Sequence, residues 1–201
     1  MKNQWDERFG ISEYVYGEGP NKFIEEYATY LKNDQTIVAF AEGEGRNAVY
    51  LARLGHDITA WDYSEVGLEK TMTLAAKSNV AIKTERKDLI TDPVPEEAFD
   101  GGIMVFGHFA KEHQKSVIDK LIKTVKPGGT IMLEVYSEQQ INYKTGGPKT
   151  ADLLYNPANV LEWLQEYKVI HFFYGEKERS EGTGHTGIGH VIQAIVKKEM
   201  F

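Results

Sequence analysis

Apolar runs of strand length alternate with amphipathic stretches of helical spacing through the first two thirds of the chain. Residues 37–41 are uninterruptedly apolar and predict a buried strand, residues 47–54 an amphipathic helix, and the next apolar stretch a second strand ending on Asp62. Ser64 caps a predicted helix over 64–77 with Val66, Leu68, Leu74 and Ala75 facing inward; a third strand follows over 80–85, with Asp88 closing it. Pro93 and Pro95 make 91–98 a loop, because proline cannot donate to a helix or a central ladder. The apolar run 102–107 predicts a fourth strand, 111–125 a helix, 126–129 (Lys-Pro-Gly-Gly) a sharp turn and 130–136 a fifth strand.

The last third changes rhythm. A Gly- and Pro-containing loop (144–149) leads to a helix over 158–166 and two strands, 168–177 and 189–197, joined by 178–188. Consecutive strands without a helical crossover pair antiparallel, whereas the earlier alternation indicates parallel strands covered on both faces. At the other end, residues 1–34 are aromatic. Asn21 caps a predicted helix over 22–31 that buries Phe23, Tyr27 and Tyr30, and Trp5 to Gly17 read as a flap over whatever binds at the strand ends.

A chain of 201 residues suits a single domain, with 1–34 as a cap segment. The polar N-terminus lacks a signal-peptide core and no apolar run approaches membrane-spanning length, so a cytoplasmic protein is expected. Cysteine is absent, which excludes disulfides and thiolate nucleophiles. A formal charge of −7 without a basic patch argues against nucleic acid as partner. No histidine or carboxylate spacing indicates a metal site.

The first strand-to-helix turn carries the clearest chemistry. Gly43 and Gly45 let the backbone approach a nucleoside-bearing cofactor, and Asp62 at the tip of the adjacent strand is placed to accept from both ribose hydroxyls. With Ala48, these glycines also satisfy the dinucleotide fingerprint, so the turn alone fits either a nicotinamide oxidoreductase or an S-adenosylmethionine enzyme. The lack of length for a separate substrate domain, the terminal antiparallel pair and Asp88, an acid suited to the adenine amino group, favour the latter.

The motifs WDERF, YVYG and PN near the start, AEGEGRNAVYLARLGH (41–56), FGHF (106–109), KPGG (126–129), YKTGGP (143–148) and EGTGHTG (181–187) resemble the Rossmann-like (class I) S-adenosylmethionine-dependent methyltransferases, in particular the small bacterial branch related to tellurite-resistance methyltransferases. The resemblance implies a seven-stranded, mostly parallel Rossmann-like α/β sheet with an antiparallel C-terminal strand pair and helices on both faces. It also implies a cofactor set of Tyr16, Glu42, Gly43, Glu44, Gly45, Arg46, Asp62, Tyr63, Asp88, Leu89 and Phe106, binding S-adenosyl-L-methionine and its product S-adenosyl-L-homocysteine. Glu42 or Glu44 suits the positive end of the donor, and backbone N–H groups at the helix start suit its carboxylate. The chain departs from the class at Ala39 and Ala41, where an acid and a glycine are usual, which shifts part of the acidic role to Glu42.

The fourth strand ends in Gly107, His108, Phe109 and Ala110 instead of the Asn/Asp-Pro-Pro-aromatic pattern of many amino-group methyltransferases. His108, His185 and Tyr143 are the expected catalytic or acceptor-contacting residues, with Gly146 and Gly147 in the acceptor wall. The expected activity is methyl transfer to a small-molecule acceptor, with a tellurium, selenium or thiol compound implied by the resemblance, in a monomer or homodimer. A small NAD(P)-dependent oxidoreductase and a non-catalytic S-adenosylmethionine-binding protein are the alternatives.

Overall fold

The computed structural model describes residues 3–32, 35–182 and 184–200, with the side chains of His185 and Met200 outside the description. Seven strands form one sheet in the order β3-β2-β1-β4-β5-β7-β6. They are β1 (Thr36–Phe40), β2 (Asp57–Asp62), β3 (Lys83–Arg86), β4 (Phe99–Val105), β5 (Val125–Tyr136), β6 (Tyr167–Glu181) and β7 (His185–Met200). β1 to β5 pair in parallel, and β7 lies antiparallel between β5 and β6. The helices are α1 (Gln4–Phe9), α2 (Lys22–Tyr27), α3 (Arg46–Arg53), α4 (Glu65–Lys77), α5 (Lys111–Thr124) and α6 (Pro157–Leu164).

The period-2 alternation of side chains on the central strands sorts the core into two layers. On one face Ile37, Ala39, Ile58, Ala60 and Ile103 pack against α2, α3 and α4 through Phe23, Ile24, Leu51, Leu68 and Leu74. On the other, Val38, Phe40, Leu133, Ile192 and Ala194 meet α5 and α6 through Val117, Ile118, Leu121, Val160 and Leu164.

The main departure from the sequence pattern lies at the C-terminus. Residues 178–188, expected as a connection, extend the β6–β7 hairpin, pairing Glu178 with Ile188, Arg179 with Gly187 and Glu181 with His185. Polar composition suggested a loop, but Arg179 and Glu181 are both buried and cross-strand pairing satisfies their backbone. The expected turn at 126–129 is instead an irregularity inside β5: Val125 pairs Phe99, and pairing resumes at Thr130 with Gly101. Val66, expected inward on α4, is only half buried.

Buried polar groups fasten the N-terminal segment to this frame. The Asn21 side chain donates to Glu134 on β5 at 2.6 Å, and the backbone N–H of Lys22 donates to Glu181 at 3.1 Å. Glu181 in turn pairs with Arg46 at 2.7 Å. Burial pushes the Glu134 carboxyl pKa upward, with Arg179 and the Gln193 and Asn21 bonds opposing it. Tyr16 and Gly17 cross the hairpin tip so closely that a Cβ on Gly182 would collide with the Gly17 nitrogen.

Candidate active site

The turn after β1 is built around Glu42. Gly45, at φ 88°, has no side chain to cap α3, and Glu42 does so from three residues back. Its Oε1 accepts from the N–H of Asn47 at 2.9 Å and of Ala48 at 2.8 Å, satisfying donors that a helix start leaves open. The Asn47 and Ala48 N–H groups are therefore taken by the chain itself and are not the ones that could receive a ligand carboxylate. Glu42 Oε2 makes no hydrogen bond with the described residues and is left for a positively charged ligand group. Ala41 adopts φ 51°, the left-handed conformation that explains the usual glycine there. Phe106, just past β4, has φ 55°, so non-glycine residues hold left-handed backbone at the ends of two neighbouring strands beside the site.

Asp62 closes β2 and reaches across to the same turn. Its Oδ2 accepts from Gly43 N–H and its Oδ1 from Ser64 N–H, each at 2.8 Å. Each oxygen keeps a lone pair, so the carboxylate is oriented by backbone while still able to accept two hydroxyls.

These residues line a cavity of about 430 Å³ at the C-terminal ends of the parallel strands, where open α/β sheets bind ligands. Tyr16, Glu42, Gly43, Arg46, Asp62, Tyr63, Asp88, Leu89 and Phe106 all border it. The donor set suits an adenosyl group carrying an amino acid: a carboxylate for the ribose, an acid two residues past β3 for the adenine amino group, and Glu42 with Arg46 for the charged end. Residues expected there only as parts of motifs or of a flap also contribute. Trp5 and Phe9 from α1 form a wall, their rings stacked 5.8 Å apart, and Phe109 lines the cavity as well, as do Asn3 and Lys87, to which sequence pattern gave no role. Asp6 fixes α1 over the cavity by accepting from the Ser64 hydroxyl at 2.6 Å.

Other expected residues lie elsewhere. Gly45 packs on α4, where a Cβ would meet Thr71 at 2.6 Å, and does not border the cavity. Glu44 faces the N-terminal segment: it accepts from Val15 N–H at 2.9 Å and pairs with Lys70 at 2.6 Å, so it holds that segment in place and does not border the cavity. Tyr143 donates to Glu176 at 2.5 Å and borders neither this cavity nor the one beside it. His185 opens β7, and its side chain falls outside the described residues. His108 does border the cavity, its ring 5.5 Å from Trp5 and 6.2 Å from Tyr136. It also borders an adjoining cavity of about 410 Å³.

Arg179, to which sequence pattern gave no role, is the buried cation behind this wall. Its guanidinium lies 4.7 Å from the ring centres of both Phe106 and Tyr136, and its nitrogens make no hydrogen bond with the described residues. Only the pairing of β6 with β7 brings it there, and neither spacing nor composition signals that.

Burial shifts the two central acids in the same direction. The Glu42 pKa is raised from 4.5 to about 7, mainly by desolvation and against the helix-start N–H bonds. Asp62 is raised from 3.8 to about 6, again chiefly by desolvation. Both groups keep their protons to higher pH in the folded chain than in the unfolded one. Their contribution to stability is therefore fully present below pH 3.8 to 4.5 and is lost as pH rises through about 6 and 7. Ligand binding is expected to run the opposite way, because an ionised carboxylate is the better acceptor for hydroxyls and the better partner for an ammonium. Calorimetric titration with S-adenosylhomocysteine is expected to show affinity rising roughly tenfold from about pH 5.5 to 7.5, with ligand-free stability falling across the same interval. An affinity independent of pH would remove Glu42 and Asp62 from the binding site.

Residues 37–129 match a family model described as a methyltransferase domain. A curated relative from Haemophilus influenzae, described as the probable S-adenosyl-L-methionine-dependent methyltransferase TehB, is 31% identical over 88 residues, covering 43% of this chain and 31% of the relative. The match thus spans about a third of that relative's length. The crystal structure of TehB from Haemophilus influenzae superposes with a TM-score of 0.72 at 18% identity, over 90% of this chain and 63% of that one. A Burkholderia thailandensis 1,6-didemethyltoxoflavin-N1-methyltransferase, solved with S-adenosylhomocysteine bound, gives 0.65 at 15% identity, over 87% and 76%. The strand order is thus shared with solved S-adenosylmethionine-dependent methyltransferases, and the methyltransferase-domain match covers the half of the sheet that carries the Glu42 turn and Asp62. Among these proteins the chain is similar to TehB, in sequence over 88 residues and in fold over most of its length. No helix of the described residues is long and apolar enough to cross a membrane.

Proposed function

We propose that this chain forms one catalytic domain that transfers a methyl group from S-adenosylmethionine to a small-molecule soft nucleophile, a thiol or a selenium or tellurium compound, with residues 3–17 as a cover over the donor. One observation carries the reading: the cofactor cavity ends at His108 and Trp5, and the same two side chains open onto a second cavity able to hold an acceptor. A protein that only sensed the donor has no use for that second space.

The bound donor supplies a methyl group on a positively charged sulfur. Asp62 holds the ribose, Glu42 the ammonium, and Trp5 and Phe9 exclude water from the reacting end. The acceptor's lone pair forms the new bond to the methyl carbon as the bond from carbon to sulfonium breaks, its electron pair remaining on the donor's sulfur. When the acceptor is a thiol, its proton passes to His108 or to water.

Incubating the chain with methyl-labelled S-adenosylmethionine and a panel of thiols, selenite and tellurite, with mass spectrometry of the products, tests the proposal. A labelled product supports it, and none across the panel removes the soft-nucleophile assignment. His108→Gln is expected to leave affinity for S-adenosylhomocysteine within about twofold and to lower turnover about tenfold, the modest end of proton-transfer catalysis, because a thiol is already partly ionised near neutral pH. Unchanged turnover would place His108 outside the reaction.

A further inference from the structure

The second cavity has a chemical character of its own. Its floor and sides are apolar or neutral, with Trp5, Pro148 and Leu153 prominent, and its charged residues are Arg8 and Lys149. No carboxylate among the described residues lines it. Arg8 donates to the Tyr16 hydroxyl at 2.9 Å and lies 5.1 Å over the Trp5 ring, and no carboxylate among the described residues pairs with it. Lys149 makes neither an ion pair nor a hydrogen bond with the described residues. In a chain of formal charge −7, where Lys22, Lys70, Lys77, Lys83 and Lys126 each have a carboxylate within 2.8 Å, two unpaired cations on one small cavity form a local positive field.

We propose that this cavity binds the methyl acceptor and that the acceptor is an organic anion: an apolar body lying along Trp5, Pro148 and Leu153, bearing a carboxylate held by Arg8 and Lys149, with its nucleophilic atom directed past His108 to the donor. This rests on the reading of the chain as a methyltransferase and narrows its substrate class. An inorganic oxyanion of a few atoms would satisfy the cations but leave most of about 410 Å³ and the aromatic wall unused. A neutral thiol would leave both cations without a counter-charge.

The test uses the full chain saturated with S-adenosylhomocysteine, titrated with benzoate, benzamide or benzylammonium by calorimetry. Benzoate is expected to bind about fivefold tighter than benzamide, as partly exposed charge pairs allow, with benzylammonium weaker still and the preference shrinking as salt is raised. Lys149→Glu is expected to cancel the preference and Lys149→Arg to retain it, with an unchanged affinity for S-adenosylhomocysteine showing that each variant is folded. Equal binding of benzoate and benzamide, no saturable benzoate binding, or a preference that survives Lys149→Glu overturns the proposal. Methyl transfer to 4-mercaptobenzoate and 4-mercaptobenzamide then separates the two levels. A Lys149-dependent benzoate preference with neither thiol methylated keeps the anion site and removes the thiol acceptor, whereas equal turnover of both thiols keeps the methyltransferase and removes the anion site.

Discussion

Asp62→Asn is expected to lower affinity for S-adenosylhomocysteine at least about 100-fold, the equivalent of two charge-assisted hydrogen bonds at about 1.5 kcal/mol each. The substitution is nearly isosteric, so its effect isolates hydrogen-bonding capacity. In the native chain both carboxylate oxygens accept backbone N–H groups, from Gly43 and from Ser64, at 2.8 Å. An amide has one oxygen. Its NH₂ must face either Gly43 N–H or Ser64 N–H, setting donor against donor, and the buried N–H left unsatisfied costs about 1–3 kcal/mol. Relief from burying a charge, the same desolvation that lifts the Asp62 pKa to about 6, offsets part of that cost. Denaturant unfolding should therefore show a net loss near 1 kcal/mol, far smaller than the loss in binding. Affinity within threefold of the native chain would mean that the ribose is held elsewhere.

Glu42 carries two duties that a pair of substitutions separates. Glu42→Ala removes the acceptor for the Asn47 and Ala48 N–H groups and leaves a gap where a buried side chain stood, so a loss of about 2–4 kcal/mol in unfolding free energy is expected, with cofactor binding lost as the turn loosens. Glu42→Gln keeps an oxygen in the capping position and removes only the charge. It is expected to unfold within about 1 kcal/mol of the native chain yet bind S-adenosylhomocysteine about tenfold more weakly near pH 7.5, the usual worth of one charge-assisted bond. The upper part of the pH dependence of binding should also flatten, because the group raised to about 7 is gone. If Glu42→Gln binds like the native chain, Glu42 is a structural cap alone.

Much of this site could be read from the sequence because it lies where local signals are strong. An apolar run before Gly43 and Gly45, a helical pattern after them and an acid ending the next strand are all short-range features, and Asp62 follows from them. The roles within the turn were less legible. Glu42 and Glu44 are two residues apart in an exchangeable-looking motif, yet one caps a helix beside the cavity and the other holds the N-terminal segment, a difference set by the left-handed backbone of Gly43 and Gly45. The C-terminal residues were least legible. Polar residues 178–188 read as a loop because the pattern does not show that Arg179 and Glu181 are covered by Phe106, Tyr136 and Arg46 from distant elements. Tyr143 shares a glycine-rich segment with Gly147, but only Gly147 reaches the second cavity. Within a loop, sequence gives proximity to a strand end without giving direction.

The central claim is that the cavity between Glu42, Asp62 and Trp5 holds S-adenosylmethionine. Titration calorimetry near pH 7.5 with S-adenosylmethionine, S-adenosylhomocysteine and NAD, on the native chain and Asp62→Asn, tests it most directly. Saturable one-to-one binding of both sulfur ligands, no binding of NAD, and loss of the signal in Asp62→Asn are the predicted results; binding of NAD with no heat from either sulfur ligand would contradict the account.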